Sequence, residues 1–420
     1  MKKKLLVYAH YYIPDVASTG QILKELLEGL LNTFEITVIC VVPSYEGNIE
    51  DKYKVQKYYW ENINGVNVLR IRVSEFDKSN KLSRVKNILG YFFGAMMATF
   101  KVGKQDYILS ISQPPILGGL IGIWGKWIKK AKYIYNIQDF NPEQVIAVGY
   151  SKNKIILNLM MYLDKFSCKH SDLIITVGHD LVETVNKRFK NKNVPRTVLI
   201  NNWIDEKNIY PLSMQDEKVL LFKQKYNLIN KFIIMYSGNI GLYYDLKNLI
   251  KVIKNFKPGI RSLDGREVVF VFIGAGSVLN DLKKYVKQNA MSNVKFLPYQ
   301  KKEDLIYSLN SADIHWCVNA KGIKGVSCPS KYYGIAAVAK PVIGVLEEKT
   351  EIRLLIEKNK GGFVSTPGDY KQIEKNLHWI IKKVSNTELK EMGERNHQYL
   401  LNYLRKDISI KKYEKAIINC

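Results

Sequence analysis

The chain is short of the residues that staple or metallate small folds. Its five cysteines (Cys40, Cys168, Cys317, Cys328, Cys420) are odd in number and form no C-x-x-C pair, which excludes a disulfide framework, gives no zinc signature and points to a reducing, cytoplasmic setting. Its six histidines show no metal-ligand spacing. Only 12 prolines in 420 residues, with 46% hydrophobic and 25% charged side chains, argue against long disorder and for ordinary globular cores. No run reaches the roughly 18 to 20 uninterrupted apolar residues that cross a bilayer. Segments 88–100 and 116–127 come nearest, and both read as core helices in preference to a membrane-surface patch. The opening residues 1–8 turn polar at His10, too soon for a signal peptide's apolar region, and read instead as a first strand. Acid is the last shortage: 39 Asp and Glu face 64 Lys and Arg, a net charge of +25. The excess is spread over both halves, so it suits a phosphate-rich ligand and an anionic membrane surface at least as well as nucleic acid, whose footprint is usually a concentrated patch.

What is present is a twice-repeated strand–loop–helix pattern. Leu5 to Ala9 is a strand, and Ile22, Leu23, Leu26, Leu27 and Leu30 recur at the helical period. Ser18 with Gln21 forms a capping-box signature at the start of that helix. The wholly apolar 36–42 follows, as expected for a parallel strand covered on both faces. The pattern restarts at 232–236, then at 268–273, with further short strands at 294–297 and 341–344. Two successive sets imply two doubly wound α/β domains, 1–205 and 206–395. A basic amphipathic helix is expected from Asp369 onward, its last part, 396–420, packing back on the first domain.

Doubly wound sheets bind ligands at the carboxyl ends of their strands, so the strand-to-helix loops are the candidate contacts. Gly274-Ala275-Gly276 is only a fragment of a dinucleotide fingerprint, because Asn280 stands where a third small residue belongs. The strongest signal is Cys328-Pro329-Ser330-Lys331-Tyr332-Tyr333-Gly334, read as a helix starting near Ser330. A lysine in a first turn opposes the helix dipole unless an anion sits there, and a diphosphate would supply that anion. Asp139 lies just past the strand 133–137. Asn141 and Pro142 already supply a cap and a first turn there, so Asp139 is free for other chemistry and Glu143 reads as a structural first-turn acid.

Tyr236-Ser237-Gly238-Asn239-Ile240-Gly241, Gly274-Ala275-Gly276, 294–299, Pro329-Ser330-Lys331-Tyr332-Tyr333-Gly334 and Lys340-Pro341-Val342 stand in the order and spacing of family-four retaining glycosyltransferases. The chain resembles the bacterial members that build O-antigen, capsule or exopolysaccharide. That resemblance implies a GT-B fold, two Rossmann-like doubly wound domains facing each other across a cleft. It also implies a UDP- or GDP-linked nucleotide sugar held by the C-terminal domain and transfer with retention, with no cofactor and no essential metal. Carried over by position, Lys331 and Ser330 would meet the donor diphosphate, and Gly276 and Tyr299 would border the nucleotide. Gly20 would let the first helix approach the phosphates, Asn239 and Gly241 would line the cleft, and Glu351 matches an acid near the donor. Asp139, with Lys331 a catalytic candidate, is expected to contact the acceptor hydroxyl or the donor sugar, and His10 to face the acceptor, expected to be a polyprenyl-diphosphate-linked saccharide at the inner face of the membrane. The chain departs from the pattern at two places. Val326 and Gly334 stand where many members carry two glutamates separated by seven residues, leaving only the Gly334 backbone for the ribose. Asn239 stands where an arginine is common. A nucleotide-sugar epimerase, and a non-catalytic basic protein binding nucleic acid or anionic lipid, remain the alternatives.

Overall fold

A computed structural model describes residues 2–15, 18–45, 47–77 and 80–420. The first helix opens at Ser18, but the Ser18 and Thr19 side chains, on which the capping box rests, lie outside the described residues, as does Met1. The chain divides into two compact units, Met1–Asn201 with Asp407–Cys420, and Asn202–Lys406; the bounds read from the sequence stand at 205/206 and 395/396.

The first unit holds β1 (Lys3–Tyr8), β2 (Phe34–Val41), β3 (Tyr58–Ile63), β4 (Val66–Ile71), β5 (Tyr107–Ile111), β6 (Lys132–Ile137), β7 (Leu173–Thr176) and β8 (Thr197–Leu199). They form one sheet in the order β3-β4-β2-β1-β5-β6-β7-β8, parallel except for the antiparallel pair β3/β4. β1 is central, so both its faces are covered and Leu5, Leu6 and Val7 are wholly buried. The helix Leu117–Lys129 reaches the sheet closely because glycines face tyrosines. A Cβ on Gly122 would meet the Tyr133 ring at 2.2 Å, and one on Gly125 the Tyr8 ring at 2.7 Å. The buried hydroxyls are paired, Tyr8 with Thr99 at 2.7 Å and Tyr133 with Ser110 at 2.8 Å, as burial requires. Segment 116–127 is therefore core, as expected from the sequence, while 88–100 presents one buried and one exposed face.

The second unit holds β9 (Lys231–Ser237), β10 (Glu267–Ile273), β11 (Val294–Leu297), β12 (Ile314–Val318), β13 (Val342–Val345) and β14 (Gly362–Ser365), all parallel in the order β11-β10-β9-β12-β13-β14. The apolar runs 232–236 and 268–273 are its buried centre, in register Phe232↔Val268 through Tyr236↔Phe272. Instead of one basic helix after Asp369, three are found, Tyr370–Lys383, Asn386–Tyr399 and Lys406–Ile418. Ser385 breaks the first from the second by forming a full capping box with Glu388. The third belongs to the first unit: Tyr413 and Ile417 are buried there, and the Asn136 amide donates to the Tyr413 hydroxyl at 3.1 Å.

In each unit the chain starts in mid-sheet, builds outward on one side and then crosses to the other. The strand order therefore reverses between β1 and β5, and again between β9 and β12. Those two switch points are where loops part and leave room for a ligand.

Candidate active site

At the second unit's switch point the loops after β9, β10 and β12 converge. The Gly238 amide donates to the Ile273 carbonyl (2.9 Å) and the Ile240 amide to Ala275 (2.8 Å), so the turn after β9 lies against the turn after β10. The approach is too close for side chains. A Cβ on Gly274, whose φ is +141°, would lie 1.9 Å from the Gly238 carbonyl oxygen, and one on Gly276 would lie 2.2 Å from that of Ile240 and 2.7 Å from Asn239 Oδ1. Gly241 sits beside the Asn239 amide. Sequence-predicted Asn239, Gly241 and Gly276 are thus neighbours.

Lys331 joins them from β12's side. It is the first residue of the helix Lys331–Ala337, whose N-cap, Ser330, is exposed and makes no side-chain capping bond. The Lys331 stem crosses Gly238, where a Cβ would meet its Cε at 2.8 Å. Its Nζ lies 3.6 Å from the centre of the Tyr244 ring and 5.2 Å from that of Tyr236. Burial lowers its pKa to about 8, and the buried Cys317 beside it is held as a neutral thiol, its pKa pushed up to about 12 by the same loss of solvent. Aromatic faces stabilise a cation weakly compared with an anion in the same desolvated place. The ammonium is thus held at a switch point on ring faces, without a carboxylate partner among the described residues.

Other predicted donor-side residues lie around this centre in differing ways. Tyr299 is two residues past Leu297, whose carbonyl accepts from the Gly274 amide, and its side chain is 74% exposed. Gly334 is buried, with Leu309 next to its Cα. Glu351 opens the helix Glu351–Asn359. Beside it Glu347 clasps the loop after β12 by accepting from the Gly322 and Lys324 amides, both at 2.9 Å.

In the first unit His10 follows β1 at the switch point, and Asp139 follows β6. His10 is 9% exposed, its ring lies tilted against those of Tyr11 and Tyr91 at 4.1 and 4.9 Å, and its Nε2 has no hydrogen-bond partner among the described residues. Burial depresses its pKa to about 4, so it is neutral near pH 7. Asp139 is partly buried and its amide faces Ser112 Oγ at 3.4 Å. The helix after it begins at Glu143 with Pro142 as N-cap and no side-chain cap, so Asn141 does not cap it. Glu143 is structural in a stronger sense than a first-turn acid, because Arg188 forks onto it at 2.8 and 2.6 Å and also binds Asp164. Gly20 is buried in the first helix, 3.5 Å from the Asp15 carbonyl and 3.6 Å from that of Tyr11 by its would-be Cβ. Sequence reasoning missed Tyr244, the ring nearest the Lys331 ammonium: 87 positions separate the two, beyond the reach of any local pattern.

Among the described residues, no group of three or more His, Cys, Asp or Glu side chains is placed to hold a metal ion, and no helix is long and apolar enough to cross a membrane.

Residues 220–398, which span nearly all of the second unit, match the family described as glycosyl transferases group 1. The chain is 23% identical over 352 residues to WbjE of Pseudomonas aeruginosa, named as a glycosyltransferase, covering 82% of this chain and 83% of that one. It is 24% identical over 369 residues to WcaI of Escherichia coli K12, named as a colanic acid biosynthesis glycosyl transferase, covering 85% and 87%. Among solved structures it superposes on sucrose-phosphate synthase from Thermosynechococcus elongatus with a TM-score of 0.76 at 11% identity, over 100% of this chain and 99% of that one. On Anabaena HepE, solved with UDP and glucose, the TM-score is 0.69 at 12% identity over the whole of both. At such identities these structures speak for the fold, which is GT-B.

Proposed function

We propose, from the premise that this chain is a group 1 glycosyltransferase of GT-B fold, that it moves a sugar with retention from a UDP- or GDP-linked donor to a saccharide carried on a polyprenyl diphosphate. The reaction would belong to surface-polysaccharide synthesis, as the name of the WcaI relative suggests, at the inner face of the membrane. The observation that carries the proposal is Lys331: an ammonium with no carboxylate partner among the described residues, at a switch point walled by glycine turns that leave backbone close at hand. Two phosphates would give that cation its counter-charge, and the ammonium would in turn stabilise charge on the departing nucleoside diphosphate.

In this reading Ser330 and Lys331 meet the diphosphate, Asn239, Gly241 and Gly276 line the sugar and nucleotide, and Tyr299, Gly334 and Glu351 border the donor. Gly20 admits the phosphates on the first unit's side, where His10, neutral and with its Nε2 unengaged, and Asp139 serve the acceptor. The donor's own phosphate oxygen takes the acceptor proton as the sugar cation is attacked from the same face, so no protein nucleophile is required. HepE was solved with UDP and with UDP-glucose, which supports testing uridine donors first.

The decisive experiment incubates purified protein with a panel of nucleotide sugars and an acceptor extract and follows nucleoside diphosphate release. One or a few donors should be consumed, and transfer should persist in excess chelator. Failure of every nucleoside diphosphate to raise the melting temperature would refute the donor site, and loss of transfer on chelation would refute the metal-independent mechanism.

A further inference from the structure

Two helices of the first unit's helical layer turn apolar side chains outward. Lys81–Lys101 and Lys154–His170 both pack against Leu117–Lys129, so the three make one layer. A helix whose outer face meets water keeps polar side chains outward. Over residues 87–100 the opposite holds, since the exposed positions are Leu89, Phe93, Met97 and Phe100. Polar Asn87 and Thr99 are instead turned inward, donating at 2.7 Å to the Ser74 and Ala95 carbonyls. The other flanking helix exposes Ile155, Ile156, Leu159 and Tyr162 alongside Lys154 and Asn158, while Asp164 and Ser167 are buried. Rings carry the apolar surface across the layer: Phe100 lies edge-on to Trp124 at 6.0 Å, and half-exposed Trp127 to Phe166 at 6.4 Å.

Charge narrows the identity of what covers this face. Segments 81–104, 117–130 and 152–170 carry twelve Lys and Arg and a single acid, Asp164, which is buried on Arg188. Lys101, Lys104, Lys130, Lys152 and Lys169 are exposed at helix ends around the apolar centre. A large apolar patch of this kind marks a partner surface. A second copy of the chain would bring the same basic rim against this one, whereas an anionic bilayer offers acyl chains to the centre and phosphates to the rim.

We infer that this helical layer lies flat in the interface of an anionic membrane, with Phe93, Met97 and Phe100 at the acyl boundary and the lysines among the headgroups. The inference deepens the proposed use of a lipid-carried acceptor and rests on that reading for its purpose, though not for its geometry.

Flotation of the full-length chain with vesicles tests it, comparing phosphatidylglycerol-containing with pure phosphatidylcholine vesicles. The wild type should float with the former and at least roughly tenfold less with the latter, the difference shrinking in about 0.5 M salt. Phe93→Ser/Met97→Ser/Phe100→Ser should reduce flotation at least roughly tenfold, and Lys104→Glu/Lys130→Glu should abolish the preference for anionic lipid. Both variants should keep the wild-type melting temperature and its rise with UDP or GDP. Absence of wild-type flotation, or undiminished flotation of the serine variant, overturns the inference. So does a wild-type dimer that the serine variant turns into a monomer, since a second copy would then own the face. Flotation that persists while no nucleotide binds would instead sink the proposed function and leave this surface standing.

Discussion

Lys331 carries opposing demands in one side chain. With its pKa lowered from 10.5 to about 8 by burial, the folded chain holds fewer protons than the unfolded one between those values. Apo stability should therefore rise as pH climbs from 8 toward 10.5, the direction in which an unpaired ammonium loses its charge. Lys331→Met should raise the apo melting temperature by a few degrees, about 1 kcal/mol or more, yet lose most nucleoside diphosphate binding and transfer. Calorimetry and a transfer assay on one preparation check both halves, and a destabilised or fully active variant contradicts the role. Diphosphate affinity of the wild type should fall as pH passes about 8. His10 has the opposite relation to acid. Its pKa near 4 leaves the folded imidazole neutral while the unfolded one takes a proton, so its contribution to stability is lost as pH drops through 6.5 toward 4. Activity should show no ionisation near 6.5 that His10→Gln removes. The sequence showed Lys331 as the cation to watch, because a first-turn lysine is locally unfavourable. It did not show Tyr244, since only packing brings an aromatic face 87 residues away beneath that ammonium.

At the scale of elements, the turn after β10 depends on having no side chain. Gly274→Ala would place a methyl 1.9 Å from the Gly238 carbonyl. It should cost roughly 2–4 kcal/mol and separate the two turns, seen as a lower denaturation midpoint and weaker nucleotide binding. The first unit relies instead on a buried charge cluster. Arg188 holds Glu143 and Asp164, and the Tyr135 hydroxyl donates to Asp164 at 2.8 Å. Arg188→Ala would strand two carboxylates, and about 3–5 kcal/mol of stability should go with it, measured on the first unit's unfolding transition; a loss below about 1 kcal/mol would show the cluster to be solvated. Glu143 was legible as structural, because an acid in a first helical turn has a local reason to be there. Its arginine was not, as it stands 45 positions further along the chain.

For the whole molecule, the last helix is held by the first unit although the second unit precedes it in the chain. Ser409 donates to the Asn201 carbonyl at 3.0 Å and Ile410 packs against Gly29, in addition to buried Tyr413 and Ile417. Deleting residues 407–420 should lower the first unit's melting transition by about 10 °C and leave the second unit's in place. A single unshifted transition in scanning calorimetry would contradict that assignment. The net charge of +25 should make association with anionic partners steeply salt-dependent, a property of the surface as a whole.

The sequence by itself determined the doubly wound α/β pattern and its repetition, and so the carboxyl-end loops as candidate contacts, because strand burial, helix period and glycine placement are written within a few neighbouring residues. The tertiary structure decided how those loops come together. It set Lys331 across Gly238 on the Tyr244 ring, left His10 Nε2 without a hydrogen-bond partner among the described residues, and turned an apolar face of 88–100 outward. Periodicity tells which residues share a side of a helix; which side meets the sheet is fixed only when distant segments compete for the same buried surface.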